Sequence, residues 1–561
     1  MADRIDRRSF LTRSAVTGAG VLALGASGSL LEACSSGSSS SSASSSGAAT
    51  HPDGISNTTP KRGGKLVFGT EAEEKGFDPT TATYDTTGIL YARTVFDPLA
   101  AIAADGTTVA PYLAKSITPN ADFTAWTIVI RPNVVFHDGT ACNAAAVAYN
   151  MQAQKESLLV GTAVSNISSI TTTDSQTVVV SMHQPWVTFD YYLAGGIGGG
   201  QISFIAAPSM LRNHNGTTQP VGTGPFVFQE WNQNSNFTAT RNPHYWRPGY
   251  PYLDTIEYRP IPDAQQLYNS LLSNSVDMMH TSAPNVIQDL RANSSLSYVD
   301  DSSRVAGEPD MECVLLNLSK PPFNNPKARQ AAAMALSSEE YSKVISNGVE
   351  AVSAGPFTPQ SPFYAPTGYP KADAAQAAQL VKEIQAETGK PVSFELNHTP
   401  DAETTKEAQF LQSELLAAGF QVTLNPVQQD QLINTALVGG FQAQVWRQFG
   451  AVHPDLNYIF WSPTQINSAF SINMARNADP AMETALQKGR QSPAESDQVA
   501  AYQEVGRLLG SDIPYLWNSR AVWSVAGQST AQNWNNATLP SGGGAYGMIS
   551  GAIWPTQIWM S

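Results

Sequence analysis

Residues 374–427, AAQAAQLVKEIQAETGKPVSFELNHTPDAETTKEAQFLQSELLAAGFQVTLNPV, decide the fold class. Leu380, Val381 and Ile384 recur at helical spacing, and Gly389 ends that run. Glycine lacks a Cβ and enters the left-handed conformation in which helices commonly stop. Val392, Phe394 and Leu396 then alternate, the period of a strand with one buried face. A second helix is expected from Glu403 to Ala418, with Phe410, Leu411 and Leu415 inward and Gly419 as its stop. Phe420, Val422 and Leu424 alternate again before Pro426. A strand, a helix and a strand in succession imply a right-handed crossover, hence an α/β protein with mixed sheets flanked by helices. In open sheets of this kind solutes bind beyond the carboxyl ends of the strands.

The same grammar extends outward. Lys65–Thr70 (KLVFGT) reads as a short buried strand opened by Gly63 and Gly64. Trp126, Ile128 and Ile130 alternate as a strand, and Ala328, Ala331, Ala332, Ala335 and Leu336 mark an amphipathic helix behind Pro326. At 561 residues, 42% apolar and 14% charged, the chain is long enough for several packed domains. Its formal charge of −14 gives it no general attraction for nucleic-acid backbones or anionic lipid headgroups. HExxH, GxSxG and P-loop patterns are missing, and residues 195–200 do not fit a dinucleotide-binding glycine pattern. The eight histidines lack ligand spacing. No catalytic residue, metal site or cofactor is therefore expected, and a surface lipoprotein hydrolase is the rival from another class. Of three cysteines, Cys142 and Cys313 read as separate buried thiols, although a pairing is open.

The third, Cys34, belongs to the N-terminal stretch. Arg7-Arg8-Ser9-Phe10-Leu11 is similar to a twin-arginine export signal, and residues 15–31 are weakly apolar. Leu31-Glu32-Ala33-Cys34 resembles a bacterial lipobox, with Glu32 an unusual middle residue. Residues 1–33 are expected to be the signal peptide, Cys34 the lipidated residue and residues 34–60 a Ser/Gly-rich linker. The mature protein is then expected outside the cytoplasm, lipid-anchored to the outer face of the cell membrane.

Four segments, in order, carry a family resemblance. They are Phe136-His137-Asp138-Gly139-Thr140, Val221-Gly222-Thr223-Gly224-Pro225-Phe226, Arg241-Asn242-Pro243-His244-Tyr245-Trp246, and Pro321-Pro322-Phe323-Asn324-Asn325 with Arg329-Gln330-Ala331. Together they resemble the extracellular solute-binding proteins, family 5, of bacterial ABC importers (the oligopeptide, dipeptide and nickel type). His137-Asp138-Gly139 reads as a tight turn, and Gly222 and Gly224 as turn glycines that permit positive φ. The resemblance implies a type II periplasmic-binding-protein-like fold of two lobes plus an extra domain. Domain I would comprise residues 60–105, 221–312 and 528–561, domain II residues 106–220 and domain III residues 313–527. It also implies a monomer that closes about a small organic solute, peptide above all, and delivers it to an ABC permease and ATPase complex. Oligosaccharide and metal-chelate binding are the alternatives within the family.

The resemblance further places the ligand against Val445-Trp446-Arg447-Gln448-Phe449-Gly450-Ala451-Val452-His453-Pro454-Asp455. Trp446 and Pro454 match the family pattern. Where peptide-binding members carry an aspartate for the peptide ammonium, this chain has Gly450, and His453 stands before the proline. Asp455 or Glu71, Glu73 or Glu74 are candidates to replace that carboxylate. Arg447 suits a carboxylate or phosphate, and Trp446 and Phe449 suit apolar walls. Asn317 and His280 complete the expected ligand contacts, with Trp461 and Trp517 as further aromatic candidates.

Overall fold

The computed structural model describes residues 52–561 apart from residues 83, 159, 197, 303–307 and 468. The paired arginines, Cys34 and residues 35–49 lie outside the described residues. Within the stretch read as linker, Gly54 packs against Trp534, and Pro52 O accepts from Tyr298 N at 2.9 Å. No described helix is long and apolar enough to cross a membrane.

The deciding stretch folds as its periodicity requires. Helices Ala374–Thr388 and Ala402–Ala417 alternate with strands Ser393–His398 and Gln421–Pro426, which pair in parallel. Asp373 and Asp401 cap the helices by accepting from Gln376 N and Thr404 N. Gly389 and Gly419 end them at φ +66 and +93. Phe394, Leu396, Leu411 and Leu415 are buried, while Phe410 is half-buried.

These strands form one edge of a six-stranded mixed sheet ordered Ala351–Val352, Tyr515–Arg520, Met311–Leu316, Ala443–Gln448, Ser393–His398, Gln421–Pro426. A seven-stranded mixed sheet runs Ser297–Asp300, Ser524–Gly527, Met278–Thr281, Lys65–Thr70, Thr255–Pro260, Asn236–Arg241, Phe226–Asn232. A third, four-stranded antiparallel sheet takes Ala114–Pro119, Ala125–Ile130, Thr177–Met182 and Ile167–Thr172. Helices Ala264–Leu272 and Pro284–Ala292 cover one face of the seven-stranded sheet, through Leu267, Leu271, Val286, Ile287 and Leu290. Helices Pro326–Ala335, Ala374–Thr388 and Ala402–Ala417 cover one face of the six-stranded sheet. The largest core cluster joins all three sheets, with Phe68 and Tyr258, Ile128 and Val180, and Cys313, Trp446 and Trp517 as members.

The family-like segments turn out to brace one another. His137 Nε2 lies 3.0 Å from Gly224 O, and Gly222 N donates to His137 Nδ1 at 3.3 Å. Gly139 sits at φ +83, and Asp138 Oδ1 accepts from Thr140 N at 3.0 Å, the expected turn. Gly222 and Gly224 depart from expectation, because neither has positive φ. Their need for glycine is space: a Cβ would lie 2.2 and 2.6 Å from Val95 O. Cys142 and Cys313 are free and buried.

Candidate functional site

The backbone passes between the two large sheets twice. One passage leads from Ser297–Asp300 to Met311–Leu316, and the other is the three residues Ala521–Trp523 between Tyr515–Arg520 and Ser524–Gly527. Asp310 ties them together. Its carbonyl accepts from Ala521 N at 2.9 Å and its carboxylate Oδ2 from Trp523 Nε1 at 2.7 Å. Asp301 adds a bond from Trp523 N at 2.9 Å. Asp310 Oδ1 reaches further, accepting from Gly450 N at 2.5 Å and Ser550 Oγ at 3.4 Å. One carboxylate, 2% exposed, therefore binds both passages to the loop after strand Ala443–Gln448 and to the C-terminal segment.

Beside this knot lies a groove of about 470 Å³, counting its open mouth. Tyr191, Gly195 and Gly196 form one wall; Phe449, Gly450, Ala451, Asn457 and Phe460 form another; Ile549 and Ser550 close the end. Apolar walls with a few fixed polar groups are the usual build of a small-molecule site. A Cβ on Gly196 would meet nothing within 4 Å, so that position faces open space. Gly450 is the opposite case. A Cβ there would lie 2.3 Å from Glu308 O, 2.7 Å from Pro309 C and 2.8 Å from Asp310 N. Residues 308–310 fill that position with backbone, and Glu308 and Ala451 exchange backbone bonds of 2.5 and 3.0 Å. Behind the wall, Glu308 Oε2 accepts from Asn457 Nδ2 at 2.6 Å, and burial pushes the Glu308 carboxyl up to about 8.

A second polar group spans the sheets at the ends of strands Lys65–Thr70 and Ala443–Gln448. Arg447 Nε donates to Glu312 Oε1 at 2.6 Å, and its NH1 donates to Ser282 Oγ at 2.9 Å. Ser282 N in turn donates to Glu71 Oε1 at 2.7 Å. The Arg447 guanidinium also lies 5.6 Å from the Trp523 ring centre. Burial opposes its charge, but Glu312, Asp310 and Glu71 outweigh that and raise its pKa. Burial, then the charge of Glu312, pushes the nearby Glu350 and Glu407 carboxyls upward.

The description "bacterial extracellular solute-binding proteins, family 5 middle" matches residues 108–468. The chain is a family 5 extracellular solute-binding protein. It therefore belongs to the oligopeptide-, dipeptide- and nickel-binding type of bacterial ABC importers. It is 24% identical to Di/tripeptide-binding protein 2 of Pseudomonas aeruginosa over 480 residues, 80% of this chain and 88% of that protein. It is 25% identical to the glutathione-binding protein GsiB of Pectobacterium atrosepticum over 423 residues, 72% of this chain and 79% of that one. The oligopeptide-binding protein AppA of Bacillus subtilis, solved with a nonapeptide, superposes with a TM-score of 0.77 at 20% identity, covering 90% of this chain and 100% of AppA. The fold is thus that of the type II periplasmic binding proteins.

In this solute-binding protein the sequence-chosen residues scatter. Glu71 and Arg447 meet through Ser282, and Phe449 lines the groove. His280 is fully buried between Phe68 and Trp523, and its Nε2 accepts from Glu71 N at 3.3 Å. Burial lowers its pKa, so it supports Glu71 as a neutral ring. Trp446, Trp461 and Trp517 are core residues. Asp455 has no surface from which to reach a solute. It is fully buried, paired with Arg490 at 2.8 Å, and accepts from Trp186 Nε1 at 2.7 Å and Thr188 Oγ1 at 2.6 Å. Asn317 is likewise buried beyond the far end of strand Met311–Leu316, donating to Phe441 O at 3.0 Å and accepting from Ser319 Oγ at 2.7 Å. Glu73 accepts from Trp231 Nε1 at 2.9 Å, and Glu74 is buried at 4% exposure. Sequence reasoning missed Tyr191, Asn457, Ser550, Glu308 and Asp310. The one local signal was Glu308-Pro309-Asp310, two acids directly before an apolar strand.

Proposed function

We propose that this protein captures a small organic solute of the peptide class in the groove and hands it, unchanged, to the permease and ATPase of an ABC importer. The groove's position carries the reading: its walls come from three separate stretches of chain, beside the two passages that Asp310 ties together. A solute that touches walls on both sides of such a hinge stabilises the closed arrangement by its contacts to both. The peptide class is supported by the relatives, which are named for di- and tripeptides and for glutathione.

On this reading residues 60–105, 221–300 and 524–561 form domain I, residues 106–220 domain II and residues 311–520 domain III; the boundaries expected at 312/313 and 527/528 move because strand Met311–Leu316 lies in the six-stranded sheet and strand Ser524–Gly527 in the seven-stranded one. Residues 1–33 direct export, and acylated Cys34 holds the monomeric protein at the outer face of the cell membrane. Each buried methylene of the acyl chains contributes ~0.8 kcal/mol, and the Ser/Gly-rich stretch after Cys34 acts as a leash as far as Pro52, where the chain docks on the body. The solute undergoes no chemistry, so no residue is assigned a catalytic role.

Mass spectrometry of what co-purifies, followed by thermal shift, tests this. Di- and tripeptides, glutathione, oligosaccharides and nickel chelates form the panel. A solute at a hundred times its Kd adds ~2.7 kcal/mol of stability. A short peptide is expected to raise Tm. If an oligosaccharide or a chelate raises it while every peptide leaves it unmoved, the peptide class is wrong. Turnover of a panel of peptides and esters would instead support the hydrolase.

A further inference from the structure

Resting on the reading of Cys34 as the lipidated residue, we propose that the end of the seven-stranded-sheet lobe on which residues 52–64 dock is the face this protein turns to the lipid surface. The docking is specific. Pro52 O accepts from Tyr298 N at 2.9 Å, on edge strand Ser297–Asp300, and Asp53 O accepts from Asn535 Nδ2 at 3.1 Å. Gly54 is buried within a mostly exposed stretch, at φ +74, and a Cβ there would lie 2.1 Å from Trp534 Cε2. Glycine alone combines that backbone with so close an approach to an indole face. Further along, Gly63 N donates to Tyr252 O at 2.9 Å, and a Cβ on Gly64 would lie 3.4 Å from Met560 Cβ. Met560 pairs with Ala531, and Ser561 N donates to Thr530 O at 2.9 Å, so the exposed Ser529, Thr530 and Ser561 belong to the same end.

The length of chain between anchor and docking point gives this end its place. From Cys34 to Pro52 a chain reaches at most ~65 Å, and a Ser/Gly-rich chain of that length averages ~25 Å end to end. On average the end that holds Pro52 is then the part of the body nearest the acyl anchor. Charge supplies the second, independent observation. Residues 521–561 contain no Asp, Glu, Lys, Arg or His, in a chain that is 14% charged and carries −14 overall. Along the docked segment the charged residues are Asp53, Lys61 and Arg62, which sum to a basic stretch. The adjoining ion pairs Lys65–Glu257 and Arg241–Asp254 cancel. At 0.1 M salt an anionic headgroup layer is felt over ~10 Å, so the local face decides and the distant acids do not. This end therefore meets such a layer without the repulsion that the net charge implies. Ile55, 45% exposed on the same segment, brings an apolar side chain to the headgroup boundary. With this lobe against the bilayer, the six-stranded-sheet lobe is the one left to swing about the two passages.

The test places the full lipidated protein on vesicles of phosphatidylglycerol and phosphatidylethanolamine that carry a headgroup nitroxide. A fluorophore is attached through Thr530→Cys at this end, or through Ala375→Cys, exposed on helix Ala374–Thr388 of the other lobe. The label at 530 is expected to be quenched severalfold more than the label at 375. Asn57→Glu, Ser529→Glu and Ser561→Glu combined should erase that difference on these vesicles and leave it on neutral phosphatidylcholine. Gly54→Leu should undock the segment, speeding hydrogen exchange of the Tyr298 amide about tenfold and weakening the difference in quenching. Equal quenching of the two labels on protein that floats with the vesicles overturns the assignment of the face. Unchanged exchange at Tyr298 in Gly54→Leu overturns the docked segment as its cause. Protein that does not float with vesicles overturns the lipidation of Cys34, on which the face depends. A preference for 530 that arises only when the permease is in the membrane overturns the lipid surface as the partner and assigns the face to the permease.

Discussion

Gly450→Asp places a carboxylate where peptide-binding members of the family carry one, and the structure predicts that it damages this protein. The Cβ alone would lie 2.3, 2.7 and 2.8 Å from three backbone atoms of residues 308–310. Backbone in a paired segment cannot swing aside as a side chain tip does. Relief requires parting residues 308–310 from residues 450–451, which breaks the Glu308–Ala451 pairing and the bond from Gly450 N to Asp310. Overpacking of this kind costs about 1–3 kcal/mol. A lost bond to a buried carboxylate adds about 1.5–3 kcal/mol. The sum is about 2.5–6 kcal/mol, before any repulsion between the new carboxylate and Asp310. Gly450→Ala isolates the steric share and should cost about 2 kcal/mol. Urea titration of parent and both variants measures the cost, with midpoints compared because a multi-lobed chain need not unfold in two states. For a chain of this length Tm falls by only about 1 °C per kcal/mol, so urea is the sharper assay. A Gly450→Asp protein as stable as the parent, with tighter peptide binding, would refute the seating of residues 308–310 against the groove wall.

Arg490→Met strands Asp455 without its cation and should cost about 3–5 kcal/mol in the same assay, while Arg490→Met with Asp455→Leu should cost less; equal costs would contradict the buried pair. Buried carboxyls and buried histidines pull the pH dependence of stability in opposite directions. Folding raises the Glu308 carboxyl from 4.5 to about 8, so between those values the folded chain binds the extra proton and loses stability as pH rises. That loss is up to about 1.4 kcal/mol per pH unit for this group, and Glu308→Gln should remove its share of the fall between about pH 4.5 and 8. His137 and His453 act in the opposite sense: burial lowers both to about 4 from 6.5, so the unfolded chain binds more protons there and stability falls as pH drops. Burial pushes the Cys142 and Cys313 thiols far up, so a Cys34→Ser protein should react with a thiol reagent only after unfolding; rapid labelling of the native protein would refute their burial.

Local periodicity was enough for the unit at residues 374–427, because the spacing of apolar residues states directly which face of an element is buried, and Gly389 and Gly419 announce where helices stop. The ordered family segments carried the overall architecture for the same reason: they are local turns and caps. Tertiary structure alone decided the site. Asp455 stands two residues from Asn457, yet one is locked to Trp186, 269 residues away, and the other lines the groove. Gly450 looked like a missing ligand and is a position filled by the backbone of a distant segment. Tyr191, Phe449 and Ser550 become neighbours only when three separate stretches pack together. Spacing along a chain encodes which face is buried, but what lies against that face follows from long-range packing, and a site between lobes consists of such contacts.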